Sequence, residues 1–206
     1  FDAMANSPDM SNQTSSSWTH TTSGSNRYLV VGLSGWDNAD SLGNVNVSYN
    51  GVAMTKLGGA QANNNNNAVL WGLVNPATGS HTVSVTTIPS GYSELGGGSV
   101  SFTNVDQTTP TGSIVIEGGG DGSVNIALAA GDMGVDVLYS GSGTQAPVIG
   151  ANGIQRVNAH LTSNAEKWMM MGTEAGSGTV TMSWTDAGGS DYAQAAIPLK
   201  YASGTP

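Results

Sequence analysis

Residues 35–41 read GWDNADS and concentrate side chains that could bind a polar ligand. Trp36 could stack on the apolar face of a sugar ring, while Asp37, Asn38 and Asp40 could hydrogen-bond its hydroxyl groups. The same oxygens are hard ligands of the kind that Ca²⁺ prefers, although their spacing is not that of an EF-hand loop. In the alternative interpretation, Trp36 folds back onto the end of the domain and the Asp and Asn side chains only cap a turn.

Two further glycine-rich segments carry pairs of carboxylates. Glu117 and Asp121 lie in EGGGDGS (117–123), and Asp186 and Asp191 bound the segment DAGGSD (186–191). Either pair could contribute to a Ca²⁺ site. Hairpin turns use Gly and Asp for backbone reasons alone, so plain turns remain the competing interpretation. Calcium is the only cofactor that the sequence suggests.

The three histidines do not form a recognisable catalytic or zinc motif. They are His20, His81 and His160, too far apart in the sequence for a zinc-binding pair. Trp18 and His20 occupy alternate positions of a predicted strand, so both side chains point to one face of it. We expect a structural role for both, although a Ser-His-Asp triad can be assembled from distant residues.

The acidic residues give no clear signature of a glycosidase. Glycoside hydrolysis needs two carboxyl groups facing each other across a cleft. The four glutamates are Glu94, Glu117, Glu166 and Glu174, and none has a second acid two residues away on the inner face of a clear strand. No G-x-S-x-G nucleophile motif is present either. We therefore expect no enzymatic activity.

Composition narrows the environment and the partners of this protein. Only 9% of the 206 residues are charged and the net charge is −9, so nothing resembles a basic surface for nucleic acid or an anionic membrane. No run of 18 apolar residues predicts a membrane-spanning helix. The absence of cysteine excludes disulfides and thiolate metal sites. This composition suits an extracellular or virion surface.

Short segments of alternating apolar and polar residues predict an all-β fold. No segment shows the apolar periodicity of an amphipathic helix. Asn50 and Gly51 form the strongest hairpin signal, and Pro198 predicts an edge strand or a bulge because it cannot donate a ladder hydrogen bond. The predicted strands cover 27–33, 45–50, 68–74, 81–87, 99–105, 113–118, 123–129, 134–140, 167–173, 179–184 and 193–201.

A degenerate internal repeat relates the two halves, approximately 1–106 and 107–206. Matching residue types aligns Lys56 with Arg156, Trp71 with Trp168 and Val83 with Val180. We interpret residues 1–206 as a single domain, a two-sheet antiparallel β-sandwich of jelly-roll type, with two separate small sandwiches as the alternative. The asparagine tract 63–67 occupies the place of residues 160–164 in the second copy, which predicts an exposed connection.

Several motifs, in this order, resemble a family of surface modules found in bacterial secreted proteins and in phages. The motifs are SSSWTHTTSGSNRYLVVGLS (15–34), VSYNGVAMTKLG (47–58), VSFTNVDQTTP (100–110) and TVTMSWTDAGGSDYAQAAIPLK (179–200). The resemblance covers most of the chain. It implies a low-charge jelly-roll or concanavalin-A-like sandwich at a surface, and it transfers no functional residue.

Three functions from different classes follow as hypotheses. The first is a non-catalytic structural protein, such as a virion decoration or fibre subunit or an extracellular filament subunit. Its partners would be copies of itself or other surface or capsid proteins, and the N-terminal FDAMA could be donated as a strand to a neighbour. The second is a carbohydrate-binding or adhesin module that uses Trp36 and the Asp- and Asn-rich loops. The third is a polysaccharide-active enzyme.

Overall fold

The computed structural model describes residues 1–36, 42–62, 65–89, 92–118, 121–141, 145–161, 167–185 and 191–202. Strands account for most of these residues, and one short 3-10 helix covers Leu42–Asn44. None of the helical structure in the described ranges is long and apolar enough to cross a membrane. The strands are β1 (Met4–Asn6), β2 (Ser15–Thr22), β3 (Tyr28–Trp36), β4 (Asn46–Tyr49), β5 (Val52–Ala53), β6 (Thr55–Ala62), β7 (Asn66–Val74), β8 (Gly79–Thr86), β9 (Glu94–Phe102), β10 (Val115–Gly118), β11 (Ser123–Leu128), β12 (Met133–Ser140), β13 (Val148–Ile149), β14 (Ile154–His160), β15 (Trp168–Ala175), β16 (Gly178–Thr185) and β17 (Tyr192–Leu199).

These strands form four antiparallel sheets, so the predicted all-β sandwich class is confirmed. Two five-stranded sheets have the orders β1-β9-β3-β7-β6 and β10-β17-β12-β15-β14. A four-stranded sheet, β2-β8-β4-β5, and a three-stranded sheet, β11-β16-β13, complete the fold. Two sheets were expected from the sequence, and the structure has four.

The buried side chains show how the sheets are stacked. In β3, Leu29 and Val31 pack against the four-stranded sheet, whereas Tyr28 and Val30 pack against the second five-stranded sheet. The second half repeats this arrangement, because Val135 and Val137 face the central core and Leu138 faces the three-stranded sheet. The two five-stranded sheets therefore lie in the middle, and each is covered on both faces. Strands buried on both faces have near-continuous apolar sequences, as YLVVGL does here.

The internal repeat is present strand by strand in the sheet topology. The orders β1-β9-β3-β7-β6 and β10-β17-β12-β15-β14 are equivalent, as are β2-β8-β4 and β11-β16-β13. Both halves also have a register shift at the same place, in β6 between Lys56 and Gly58 and in β14 between Gln155 and Val157. Each half is thus one two-layer unit, and the two units share the central core.

The strand registers correct the residue alignment that was predicted from the sequence. That alignment matched similar side chains, but equivalent backbone positions carry different residues. Trp71 pairs with Val31, and Gly172 pairs with Asp136 at the equivalent position of the second half. The pairs that follow from the registers are Leu57 with Arg156, Trp71 with Gly172, and Val83 with Met182.

Two predictions about local backbone have different outcomes. Asn50 and Gly51 have φ values of 49° and 75°, so the predicted Asn-Gly turn is confirmed. The prediction that Pro198 marks an edge strand is wrong, because β17 lies between β10 and β12 and pairs with β12 without a register shift. On its other side the register changes by one residue across Pro198, from Val115 opposite Ala196 to Thr111 opposite Leu199, so the alternative of a local irregularity is not contradicted. The carbonyl of Pro198 accepts the N–H of Gly112, which precedes β10. The backbone nitrogen of Pro198, which has no hydrogen, therefore faces this side and not β12, so no hydrogen bond of the β12 ladder is lost.

The N-terminal segment is paired within its own sheet. Met4 lies opposite Val100 in β9, and the N–H of Asp2 donates to the carbonyl of Ser101 at 2.8 Å. This pairing counts against the hypothesis that the segment is donated to a neighbouring molecule.

The asparagine tract is only in part an exposed connection. Asn66 and Asn67 are the first residues of β7, and both are buried, so the expectation of exposure is wrong for these two. Asn65 precedes the strand with a φ of 71°, a conformation that asparagine tolerates. Residues 63 and 64 lie outside the described ranges. The β6–β7 hairpin connection does correspond to the β14–β15 connection, as the repeat predicted.

Candidate interaction surfaces

The ligand-binding candidates predicted from the sequence lie only in part within the described ranges. Trp36 is the half-buried last residue of β3, and Asp37, Asn38 and Asp40 lie outside the described ranges. Glu117 lies within β10, opposite Gln194, rather than in a loop.

Asp121, the predicted calcium-binding partner of Glu117, is exposed in the turn that precedes β11. Of the second predicted pair, Asp186 is outside the described ranges and Asp191 directly precedes β17. No group of three His, Asp or Glu side chains suited to a metal ion occurs among the described residues.

Trp18 and His20 are buried in the first half, as their alternation on a strand suggested. The Trp18 Nε1–H donates to Ser99 Oγ at 2.9 Å, and Ser99 Oγ lies 2.8 Å from His20 Nδ1. Nε2 has no partner among the described residues, and burial lowers the pKa of His20 to about 4. His20 and Ser99 are closed to solvent, so this pair has no access to a substrate.

A second buried polar group, at Asp136, lies between β12 and the three-stranded sheet. Its Oδ1 accepts the N–H of Gly172, and its Oδ2 accepts the Nε1–H of Trp184 and an Nε2–H of Gln194, each at 2.7 Å. Burial raises the pKa of Asp136 and these donors oppose the rise. The equivalent position in the first half holds Val31. The sequence analysis treated this residue only as part of a strand.

A polar cleft opens at one end of the seam between the two five-stranded sheets. Its volume is about 240 Å³. It lies where β3, β7 and β9 of the first half meet β12, β15 and β17 of the second. We use the name polar cleft for the space lined by Trp36, Asn66, Glu94, Tyr139, Gly141, Lys167 and Asp191.

Two hydrogen bonds hold part of this cleft in place, and the first of them crosses the seam. The hydroxyl group of Tyr139, from the second half, donates to Oε2 of Glu94 in the first half. Burial raises the pKa of Tyr139, and the adjacent Glu94 carboxylate raises it further, so the hydroxyl remains a donor. The ammonium group of Lys167 donates to the carbonyl of Gly141.

Asn66 is the one cleft residue with an open hydrogen-bonding requirement in the described part of the chain. Its side chain is 2% exposed, and its Nδ2 has no acceptor among the described residues. Trp36 and Asp191 were binding candidates on sequence grounds, whereas Asn66, Glu94, Tyr139 and Lys167 were not. These residues come from separate strands, and only the strand-by-strand equivalence of the halves could have indicated that their strand ends meet.

Exposed apolar side chains also occur on edge strands of all four sheets. We call these the apolar edge residues, and their exposed fractions range from 42% to 64%. Natural edge strands are commonly protected by charged residues, because their unpaired backbone groups invite another strand. The apolar edge residues are Met4 in β1, Val52 in β5, Ile116 in β10, Val148 in β13 and Ile154 in β14.

The fold and these surfaces define an all-β protein of two stacked sandwiches with a polar cleft between them. Comparisons of the chain with protein-family models, with curated proteins and with solved structures found no match. The proposals below therefore depend on the geometry and chemistry of the described residues.

Proposed function

We propose that this chain is a non-catalytic structural protein of an extracellular or virion surface. In this role it assembles with copies of itself or with other surface proteins, as a decoration, fibre or filament subunit does. The observation that carries the proposal is the occurrence of exposed aliphatic side chains on five edge strands. An edge strand can add a strand from a partner through backbone hydrogen bonds, and apolar side chains beside it supply burial.

The flank formed by β1 and β14 suits such a contact best. These strands are the edges of the two central sheets on the same side of the molecule, and the Asn6 Nδ2–H donates to the carbonyl of Asn158 at 3.1 Å. Met4 and Ile154 are 42% and 53% exposed there. A partner seated on this flank would cover both central sheets at once.

The buried polar groups support a non-catalytic role. Asp136 and His20 are enclosed in the two halves and hydrogen-bonded to structural neighbours, so neither can reach a substrate. Glu94 and Asp191 line the polar cleft together, and they are the carboxyl pair on which the polysaccharide-active alternative would depend. Incubation with neutral polysaccharides should release no new reducing ends, and their release would replace this part of the proposal.

A substitution on the flank provides the test of assembly. The purified protein is expected to form oligomers whose mass rises with concentration in light scattering coupled to size exclusion. The double variant Met4→Lys/Ile154→Lys should weaken this association by roughly tenfold or more, since it places two charges in an apolar contact. Thr179→Lys adds a charge at an exposed position of the inner strand β16, and it should leave the association unchanged.

Two results would contradict the proposal. One is a wild-type protein that stays monomeric at all concentrations and shows no repeating assembly by electron microscopy. The other is an equal effect of the Thr179 control, which would assign any loss of association to net charge rather than to the flank.

A further inference from the structure

The polar cleft has a built-in pseudo-symmetry that bears on what it binds. The registers make Trp36, the last residue of β3, equivalent to Gly141, which directly follows β12. By the same registers, the two remaining equivalent pairs are Asn66 with Lys167 and Glu94 with Asp191. The cleft therefore lies on the axis that relates the halves, and each half contributes one carboxylate to it.

The pair formed by Trp36 and Gly141 gives the cleft its shape. A side chain at position 141 would approach the ring of Tyr139 to 2.8 Å, closer than carbon atoms pack. Glycine at this position therefore avoids crowding against Tyr139 and Asp191, which also line the cleft. The indole of Trp36 is half-buried against the central core, which holds it in place while one part of the ring system stays accessible.

Asn66 gives independent evidence that the cleft has a ligand. A buried donor without an acceptor costs free energy, and native proteins nearly always satisfy such groups with protein, water or ligand. Asn66 lines the cleft, and its Nδ2 is buried and has no acceptor among the described residues. A ligand oxygen in the cleft would supply that acceptor.

We infer that the polar cleft binds a sugar ring of a neutral or amine-bearing glycan. The indole of Trp36 can contact the apolar face of the ring, Asn66 can donate to a ring or hydroxyl oxygen, and Glu94 and Asp191 can accept from hydroxyl or amino groups. The cleft volume of about 240 Å³ lies below the roughly 300–1,000 Å³ of pockets for drug-sized ligands, which suits one ring.

Charge decides which glycans are excluded. The cleft carries two carboxylates against one ammonium group, and the whole chain has a net charge of −9. A uronic or sialic acid would be repelled by this field, whereas a hydroxyl or ammonium group would not. The inference does not depend on whether the chain forms an assembly, because the cleft is complete within one molecule.

Calorimetry with a defined panel tests the ligand class. The probes are cellotetraose, maltotetraose, a chitosan tetramer and tetragalacturonate, each titrated to roughly 10 mM, which captures even weak sugar affinities. At least one of the neutral or amine-bearing tetramers is expected to bind, and tetragalacturonate is not. Failure of the whole panel, or preferential binding of the acidic tetramer, overturns the inference.

Matched variants test the location. Asn66→Leu removes the buried donor and should weaken binding by about tenfold or more while the melting temperature stays equal or rises. Asn67→Leu alters the next residue, whose side chain is buried on the other face of β7 outside the cleft, and should leave binding intact. Equal affinity of wild type and Asn66→Leu, or equal losses in both variants, overturns the location.

A second pair of variants keeps the test decisive if Asn66→Leu does not fold. Trp36→Ala should also weaken binding by about tenfold or more, since aromatic stacking is lost. Tyr201→Ala removes an exposed aromatic ring that lines a different cavity, between Phe1 and Met133, and serves as its control. Unchanged binding in Trp36→Ala overturns the inference.

Discussion

Asp136→Val is expected to lower the free energy of unfolding by about 3–5 kcal/mol, because it leaves several buried donors without an acceptor. The N–H of Gly172 and the indole N–H of Trp184 each lose their bond to Asp136, and Gln194 loses the shorter of its two bonds. Valine is the residue at the equivalent position of the first half, so the substitution is compatible with the strand. Urea unfolding followed by tryptophan fluorescence measures the loss.

An exposed aspartate gives the matched control for this prediction. Asp121→Val makes the same chemical change at an exposed turn position and should shift the free energy of unfolding by about 0.5 kcal/mol or less. If Asp136→Val were as stable as the wild type, the stabilisation from the hydrogen bonds at Asp136 would only equal the free-energy cost of burying its carboxyl group. That result would contradict the stabilising role that we assign to the hydrogen bonds at Asp136.

Acidification is expected to destabilise the protein through His20, by about 3 kcal/mol at pH 4. The pKa of His20 is about 4 in the folded state, because burial disfavours the imidazolium, against about 6.5 in the unfolded chain. The unfolded state therefore binds more protons between these values, so stability is complete above pH 6.5 and falls as the pH drops toward 4. The nearby carboxylate of Asp2 favours the imidazolium and raises the pKa of His20, but burial lowers this pKa by more.

The comparison of variants isolates this histidine from other groups. Burial raises the pKa values of Asp136 and Glu174, so these carboxyl groups act in the opposite direction as the pH falls. His20→Ile introduces the residue found at the equivalent position of the second half, Ile126. The free energy of unfolding of this variant should lack the part of the pH dependence that comes from His20. The difference between wild type and variant should change by about 3 kcal/mol between pH 7.5 and 4.

His81 provides the control for the pH experiment. It lies opposite His20 in the β2–β8 ladder but is half-exposed, and its Nε2 contacts the carbonyl of Thr78 at 3.0 Å. His81→Val should reproduce the wild-type pH dependence. Parallel curves for wild type and His20→Ile would show that His20 is not protonated on unfolding in this range.

The two halves keep one topology while their cores have different chemistry. In the first half Trp71 of β7 fills the space between its two sheets, and in the second half the equivalent residue is Gly172. Trp184 of β16 lies over that glycine, where an added side chain would approach the indole to 2.9 Å. An indole thus fills the core of each half but comes from different strands. Alignment by residue type therefore paired Trp71 with Trp168 and was wrong.

Local patterns in the sequence were sufficient for most of the strands, for the all-β class and for the existence of two related halves, but they missed the edge strands β6 and β14. Alternation in segments such as HTVSVTT reports directly which face of a strand is buried, because successive side chains point to opposite faces. The Asn-Gly turn at 50–51 was also predictable, since both residues tolerate positive φ. The exposed connection assigned to 63–67 extended too far, because asparagine is rarely buried and the tract gave no signal that its last two residues enter a strand.

Only the tertiary structure decided the number of layers and the composition of the polar cleft. A strand buried on both faces is near-continuously apolar whatever covers it, so YLVVGL could not show that a second sandwich lies against it. The cleft joins strand ends that are far apart in sequence, from Trp36 to Asp191. Its charged side chains lie close together only because the two central sheets pack against each other. The sequence by itself determined most of the strands and the existence of the repeat. The stacking of the two sandwiches decided which strand ends meet at the cleft. The sequence could not show this, because the hydrophobic effect favours burial of an apolar strand face without specifying which surface covers it.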